Sequence, residues 1–181
     1  NWSEMMEPEL YYQTVREVMK RLAPRKLYLG SRLHGHKHIH GGPREAALAA
    51  AKYCDVVSIN RYRFSPADLR MPEGADKPII IGEFHFGALD RGMLHPGLRA
   101  VGDQHQRAHA YRHYVTQALT HPNIVGTHWF QYREQAVTGR SDGENYQIGF
   151  IDIADTPSHE LIEASRAIGA RLYQIRSGKR R

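Results

Sequence analysis

The sequence predicts an α/β fold built on a parallel sheet, and three observations carry this prediction. Segments with helical periodicity alternate with short apolar segments along the whole chain. Residues 79–81 are three consecutive isoleucines, which is typical of a strand that is buried on both faces. A small open sheet should carry a glycine-rich phosphate loop after its first strand, and the sequence there is a poor match. We therefore predict four strands of a (β/α)8 TIM barrel, about half of the complete barrel.

Four helices are predicted from apolar residues that recur at helical spacing. They cover residues 9–22, 43–53, 106–120 and a last segment that is capped by Thr156 or Ser158 and reaches Tyr173. Pro24 ends the first helix, and Pro43 is acceptable in the first turn of the second. A short turn or helix is expected at residues 66–69.

The predicted strands alternate with these helices and cover residues 26–33, 55–62, 78–84 and 124–132. Alternation of this kind requires crossover connections, which are right-handed between parallel strands. Because the strands are parallel, their C-terminal ends and the loops that follow meet at one edge of the sheet. Any chemistry is expected at that edge.

Length and charge exclude several classes of protein. The 181 residues, 41% of them hydrophobic, suffice for one domain, predicted at residues 1–175, and the net charge is +6. Four positive charges fall in a predicted basic tail, residues 176–181, and no nucleic-acid motif accompanies them. No apolar run approaches the length of a membrane span. We expect neither a nucleic acid nor a membrane as partner, and Cys54, the single cysteine, as a packing residue.

Polar and aromatic residues cluster where the predicted strands end. Glu83 directly follows the isoleucine strand, at the position where α/β barrels carry catalytic groups. A buried carboxylate at that position is energetically unfavourable unless it is paired or takes part in function. The alternative to a catalytic role is a salt bridge with a purely structural role. Trp129 ends the fourth strand and is either a stacking surface for a sugar ring or a core residue. The other strand-end candidates are Arg32, Asn60, Tyr62, His85 and Gln131.

A histidine-rich loop offers a competing hypothesis. His34, His36, His38 and His40 alternate with other residues, and imidazoles are common zinc ligands. The loop also contains Lys37 and lacks the paired carboxylate of a helical metal motif. We therefore expect no metal and no cofactor in the functional site.

Three motifs resemble a known enzyme clan, and they contain Tyr62, Glu83 and Trp129. They read SINRY, IIIGEFHFG and GTHWFQYREQ, and they resemble strands six, seven and eight of the clan A glycoside hydrolase barrel. The longer segments GEFHFGALDRGM and HWFQYREQAVTGRSDGENYQIGFID are similar to the family 50 β-agarases, exo-acting enzymes on agar galactans. The likeness extends from residue 27 to about residue 171.

The resemblance implies roles for the strand-end residues. Glu83 would be the nucleophile of a retaining mechanism, and Tyr62 would orient it through a hydrogen bond. Trp129 would form the floor of the sugar site, while Arg32, Asn60, His85 and Gln131 would hold hydroxyl groups. In the loop after the fourth strand, Glu144 is a possible second carboxylate, but Glu144 and Asn145 are better explained as residues that bind substrate or order the loop.

One departure from the clan pattern limits these implications. The clan's acid/base glutamate follows an asparagine at the end of strand four, and no such pair precedes Leu27 here. Retaining hydrolysis needs two carboxyl groups about 5–5.5 Å apart. We therefore expect strands five to eight of the barrel, with the acid/base residue not in this chain and no activity without an N-terminal half. The alternatives are a non-catalytic carbohydrate-binding module and a β-galactosidase of a related family; the resemblance also suggests secretion or a periplasmic location.

Overall fold

A computed structural model describes residues 7–34, 44–92 and 94–178 of the chain. Its helices are α1 (Pro8–Leu22), α2 (Arg44–Tyr53), α3 (Gln104–Thr120), α4 (His159–Gly169) and α5 (Leu172–Ser177). Its strands are β1 (Arg32–His34), β2 (Val57–Asn60), β3 (Ile79–Phe84) and β4 (Ile124–Trp129). Within the described ranges, no helix combines the length and the hydrophobicity that a membrane crossing requires.

The four strands form one sheet in the order β1-β2-β3-β4, which is also their order along the chain. β1 and β2 pair in parallel, with Arg32 opposite Ser58 and His34 opposite Asn60. Helices α2 and α3 lie in the connections β1–β2 and β3–β4. The predicted α/β fold with a parallel sheet is thus confirmed, whereas its assignment to half of a barrel stays a prediction.

The first strand is much shorter than the predicted one at residues 26–33. In the described residues before β1, the chain forms no strand ladder, and its hydrogen bonding with the segment before β2 is confined to Asp55, whose N–H donates to the Tyr28 carbonyl at 2.9 Å. Tyr28 donates its N–H to the carboxylate of Asp55 at 2.8 Å, and the carbonyl of Lys26 accepts from Lys20 Nζ at 2.8 Å. Gly30, with a φ of 62°, then turns the backbone into β1.

Two helix predictions need correction at their ends. α3 begins two residues before the predicted start at residue 106, because Asp103 caps it by accepting the Gln106 N–H at 2.7 Å. The last predicted helix, which was to reach Tyr173, is in fact two helices separated by residues 170–171. The interruption follows Gly169, and glycine is a poor helix former.

The chain divides into two compact units, of which the first comprises Asn1–Arg61, Asp68–Gly82 and Asn123–Gly126. It contains α1 packed against α2, together with β1, β2 and the beginnings of β3 and β4. Its core is formed by apolar strand residues and the small residues of α2; they include Leu33, Val57, Ile59, Ile79, Ile81, Ile124, Ala47 and Ala50. Cys54 is a free, buried thiol, as expected of a packing residue, and burial raises its pKa to about 12.

The second unit comprises Tyr62–Ala67, Glu83–Pro122 and Thr127–Arg181. It contains α3, which packs against α4 and α5, and the loops that follow β3 and β4. Its core is aromatic: the rings of Phe84 and Tyr114 stack at 4.1 Å, and Phe86 lies beside both. Arg176, the first residue of the predicted basic tail, belongs to α5 and donates to the carbonyls of Leu119, His121 and Pro122.

Candidate active site

The centre of the candidate site is a hydrogen bond between Tyr62 and Glu83. The Tyr62 hydroxyl donates to the Glu83 carboxylate at 2.8 Å, and both side chains are half-buried. The predicted contact between the two residues is thereby confirmed. β3 places Glu83 at its C-terminal end, because Ile79 and Ile81 fix the strand in the core. The site therefore presents a carboxylate that solvent can reach and a phenol that holds it in position.

His85, which sequence reasoning assigned to sugar binding, has a different position. Its side chain is 1% exposed, and both ring nitrogens are occupied by backbone groups. Nε2 lies 2.8 Å from the Leu98 N–H and accepts from it, so Nδ1 carries the proton and donates to the Phe130 carbonyl at 3.0 Å. Burial lowers the pKa of His85 to about 4, which keeps the ring neutral. His85 thus joins the loops after β3 and β4, and its assignment to hydroxyl binding was wrong.

Trp129 lies in a cluster of aromatic side chains. Its indole N–H donates to the carbonyl of Ile148 at 2.8 Å. Its ring meets Phe84 edge-on at 5.1 Å, and the Arg107 guanidinium lies 5.7 Å from the ring centre. These contacts hold the ring in place, and the Trp129 side chain stays half-buried. Its contact with sugar stays a prediction.

The loop after β4 contains the other predicted substrate residues of this unit. Glu144 accepts from Gln135 Nε2 at 3.0 Å and pairs with Arg140 at 3.0 Å. Asn145 is half-buried and makes one long contact, 3.5 Å, to the Val137 carbonyl. Gln131 is also half-buried. These partners show that Glu144 helps to order the loop, and the predicted role of Glu144, Asn145 and Gln131 in substrate binding stays a prediction.

Arg32 and Asn60 belong to the first unit and lie on one face of the sheet. A Cβ atom added to Gly82 would lie 2.8 Å from Ser58 Oγ, 2.9 Å from Asn60 Oδ1 and 3.0 Å from Arg32 Cδ. Only glycine leaves room for these three side chains at that point of β3. Their role in substrate binding stays a prediction.

The sequence reasoning missed a buried charged group in the second unit. Arg107 is completely buried, and its guanidinium donates to the Phe86 and Gly149 carbonyls at 2.9 and 2.8 Å and to Gln104 Oε1 at 3.0 Å. Burial raises the pKa of the nearby Glu134 to about 7, an effect that the charge of Arg107 opposes. A signal was present, because Arg107 stands in the buried stripe of α3 where an apolar residue is expected.

The competing metal hypothesis receives no support from the part of the chain that the structure describes. There, no three residues of the types His, Cys, Asp and Glu form a group that could hold a metal ion. His36, His38 and His40 lie outside the described residues. Of the proposed ligands, the structure therefore describes only His34, at the end of β1.

Comparison with known proteins points to one group of enzymes. No protein-family profile matches the sequence. β-Agarase B of Vibrio sp. (strain JT0107) is 40% identical over 185 residues, an alignment that covers 99% of this chain and 19% of that protein. A solved exo-β-agarase structure superimposes with a TM-score of 0.87 and 39% identity, covering 96% of this chain and 23% of the other. The structure of PfGH50B superimposes with a TM-score of 0.86 and 40% identity, covering 93% and 24%.

β-Agarases are therefore homologues of this chain over almost its entire length. This agrees with the resemblance to family 50 that the GEFHFGALDRGM segment suggested. The chain spans about a fifth of the length of β-agarase B. Most of the homologous enzyme consequently has no counterpart in these 181 residues.

Proposed function

We propose that this chain is the nucleophile-bearing part of a retaining glycoside hydrolase that acts on β-linked galactans. The observation that carries the proposal is the Tyr62–Glu83 hydrogen bond at the end of a buried strand. Of the polar residues predicted at the end of β3, only Glu83 keeps access to solvent, since His85 is buried. The homology to β-agarases supports the class of substrate.

In the proposed mechanism, a Glu83 oxygen attacks the anomeric carbon of the bound sugar. The glycosidic C–O bond breaks, and an acid/base glutamate protonates the leaving oxygen, which gives a covalent glycosyl-enzyme. The same acid/base residue then takes a proton from water, and the resulting attack on the anomeric carbon releases the sugar and frees Glu83. Tyr62 keeps the attacking carboxylate in one orientation, because a fixed near-attack geometry lowers the barrier.

We further propose that the four strands are strands five to eight of a (β/α)8 barrel. The acid/base glutamate would then belong to the N-terminal half, outside this sequence, which fits the small fraction of β-agarase B that the chain spans. β1 and β4 end the described sheet, and strand edges without neighbours favour association. The 181 residues alone are expected to be inactive and to self-associate unless the N-terminal half is supplied.

The test is hydrolysis of agarose-derived oligosaccharides by the complete protein. Glu83→Gln removes the charge and keeps the shape, so hydrolysis should fall by at least about a thousandfold with the fold intact by circular dichroism. Glu144→Gln is the matched control and should retain activity within about threefold. Proton NMR of the first product should show the β anomer, as retention requires.

Three results would redirect the proposal. Full activity of Glu83→Gln would overturn the role of Glu83. Binding of oligosaccharide by the wild-type protein without hydrolysis would favour a carbohydrate-binding module. Cleavage of simple β-galactosides in preference to agarose oligosaccharides would favour a β-galactosidase.

A further inference from the structure

The loop that carries Tyr62 lies shortly after β2 and comprises residues 62–67. Its first residue is Tyr62, whose hydroxyl donates to the Glu83 carboxylate at 2.8 Å. The loop contains neither helix nor strand, so no regular backbone hydrogen bonding fixes its shape. The position of the Tyr62 hydroxyl therefore depends on the contacts that hold the loop.

An ion pair joins the two residues that flank this loop. Arg61 Nη2 donates to Asp68 Oδ1 at 2.7 Å. The Arg61 side chain is 2% exposed, whereas that of Asp68 is 57% exposed. Arg61 is thus the anchored partner, and a charge-assisted hydrogen bond ties Asp68 to it. This contact closes the loop at its base.

Other contacts support the loop less firmly. Phe64 stacks on the buried Phe86 at 5.6 Å between ring centres, but Phe64 itself is exposed. The Tyr62 ring packs on His85 at 4.7 Å, a contact that does not involve the hydroxyl. These ring contacts would remain if the ion pair were lost. Its loss should therefore displace the Tyr62 hydroxyl without unfolding the loop.

We infer that the Arg61–Asp68 ion pair positions the proposed nucleophile, because by closing the loop it keeps the Tyr62 hydroxyl on Glu83. This inference rests on the proposed function, in which Tyr62 orients Glu83 for attack. Arg61 and Asp68 act through Tyr62, so they are positioning residues and not catalytic ones. A displacement of about 1 Å in a reacting group can lower a rate on the order of a hundredfold. An ion pair at the base of the loop can thus affect catalysis.

The experiment measures hydrolysis of an agarose-derived hexasaccharide by the complete protein. Asp68→Ala should lower kcat and kcat/KM together by about 5- to 30-fold and leave KM within about twofold, since only the transition state loses an interaction. Asp68→Asn keeps an acceptor oxygen for Arg61 and should retain kcat within about threefold of the wild type. The matched control, Glu73→Ala, removes another exposed carboxylate and should change kcat less than twofold. Wild-type kcat in Asp68→Ala would overturn the inference.

A double-mutant cycle separates positioning from a general loss of stability. In Tyr62→Phe the hydroxyl is absent, so adding Asp68→Ala should lower kcat by less than about twofold. Circular dichroism should show that all four proteins of the cycle are folded at the assay temperature. An equal loss of kcat from Asp68→Ala in the wild-type and Tyr62→Phe backgrounds would overturn the inference, because Asp68 would then not act through the Tyr62 hydroxyl.

The failure of this inference differs from the failure of the proposed function. If Glu83→Gln abolishes hydrolysis and Asp68→Ala hydrolyses like the wild type, only the positioning role of the ion pair is wrong. If Glu83→Gln hydrolyses normally, the proposed function is wrong. The inference then falls with it, because the Tyr62 hydroxyl would orient no nucleophile.

Discussion

Glu83 and His85 lie two residues apart, but they differ in burial and in the kind of group to which they are hydrogen-bonded. Glu83 is half-buried and accepts a hydrogen bond from a side chain, the Tyr62 hydroxyl. His85 is buried, and both of its ring nitrogens are bonded to backbone groups. Glu83 lies at the end of β3 and His85 directly follows that strand, so from the sequence alone both are equally good candidates for a functional residue.

The difference separates polar side chains that stabilise the fold from polar side chains whose partners a ligand can replace. A buried polar side chain whose bonds all go to backbone atoms stabilises loops, because breaking those bonds would leave buried groups unpaired. A half-buried group held by another side chain can change partners when a ligand arrives. Arg107 is close to this class, because it is completely buried and two of its three hydrogen bonds go to backbone carbonyls, those of Phe86 and Gly149.

The largest effect on stability is expected from Arg107. Arg107→Met should lower the free energy of unfolding by about 3–5 kcal/mol, because two buried carbonyls and the Gln104 amide lose their donor. The control, Arg112→Met, removes an exposed arginine from the same helix and should cost less than about 0.5 kcal/mol. Chemical denaturation followed by circular dichroism measures both. Equal effects of the two substitutions would mean that the buried hydrogen bonds of Arg107 do not stabilise the fold.

His85 should give the next largest effect, and that effect should depend on pH. Folded His85 has a pKa of about 4, below the ordinary value of 6.5, so between these values the unfolded chain binds the extra proton. Its contribution is therefore complete above about pH 6.5 and is lost as the pH falls through about 4. The shift corresponds to roughly 3 kcal/mol.

The variant that tests this is His85→Phe, which removes both hydrogen bonds and the titration. At pH 7 it should be about 2–3 kcal/mol less stable than the wild type, and the gap should close as the pH approaches 4. His109→Phe, an exposed site on α3, is the control and should show no such gap. A gap of the same size at pH 4 and pH 7 would mean that the protonation state of His85 has no structural role.

Tyr62 should show the reverse pattern, with a small effect on stability and a larger one on activity. Tyr62→Phe removes the hydrogen bond to Glu83, and kcat should fall by about 10- to 100-fold, the value of one bond to a charged group. Stability should change by less than about 1 kcal/mol. Tyr111→Phe, which removes a hydroxyl bonded to Ser165, is the control and should leave kcat unchanged. An unchanged kcat in Tyr62→Phe would mean that the Tyr62–Glu83 hydrogen bond does not contribute to catalysis.

Periodicity predicted the fold well because it reports which residues are buried. The isoleucines of β3 and the helical stripe of α3 appear where the sequence placed them. The first strand was predicted too long because Tyr28 bonds Asp55 through both its N–H and its carbonyl without forming a strand ladder, and apolar patterning cannot show such contacts. The division of the last helix failed because one glycine is a weak signal in a periodic segment.

The site was predictable only where strand ends define it. Position alone predicted that Glu83 and Tyr62 lie near each other, since Glu83 lies at the end of β3 and Tyr62 follows β2. Position could not show that His85 turns to the Phe130 carbonyl or that Trp129 packs edge-on against Phe84, because loop packing decides both.

Covalent trapping of Glu83 tests the central claim most directly. The complete protein is incubated with a 2-deoxy-2-fluoro-β-galactosyl fluoride, whose glycosyl-enzyme forms and hydrolyses slowly, and the labelled peptide is sequenced by mass spectrometry. We predict one added sugar on Glu83, in the peptide that contains IIIGEFHFG, and no label in Glu83→Gln. A label on Glu144, or on any residue other than Glu83, would contradict the account.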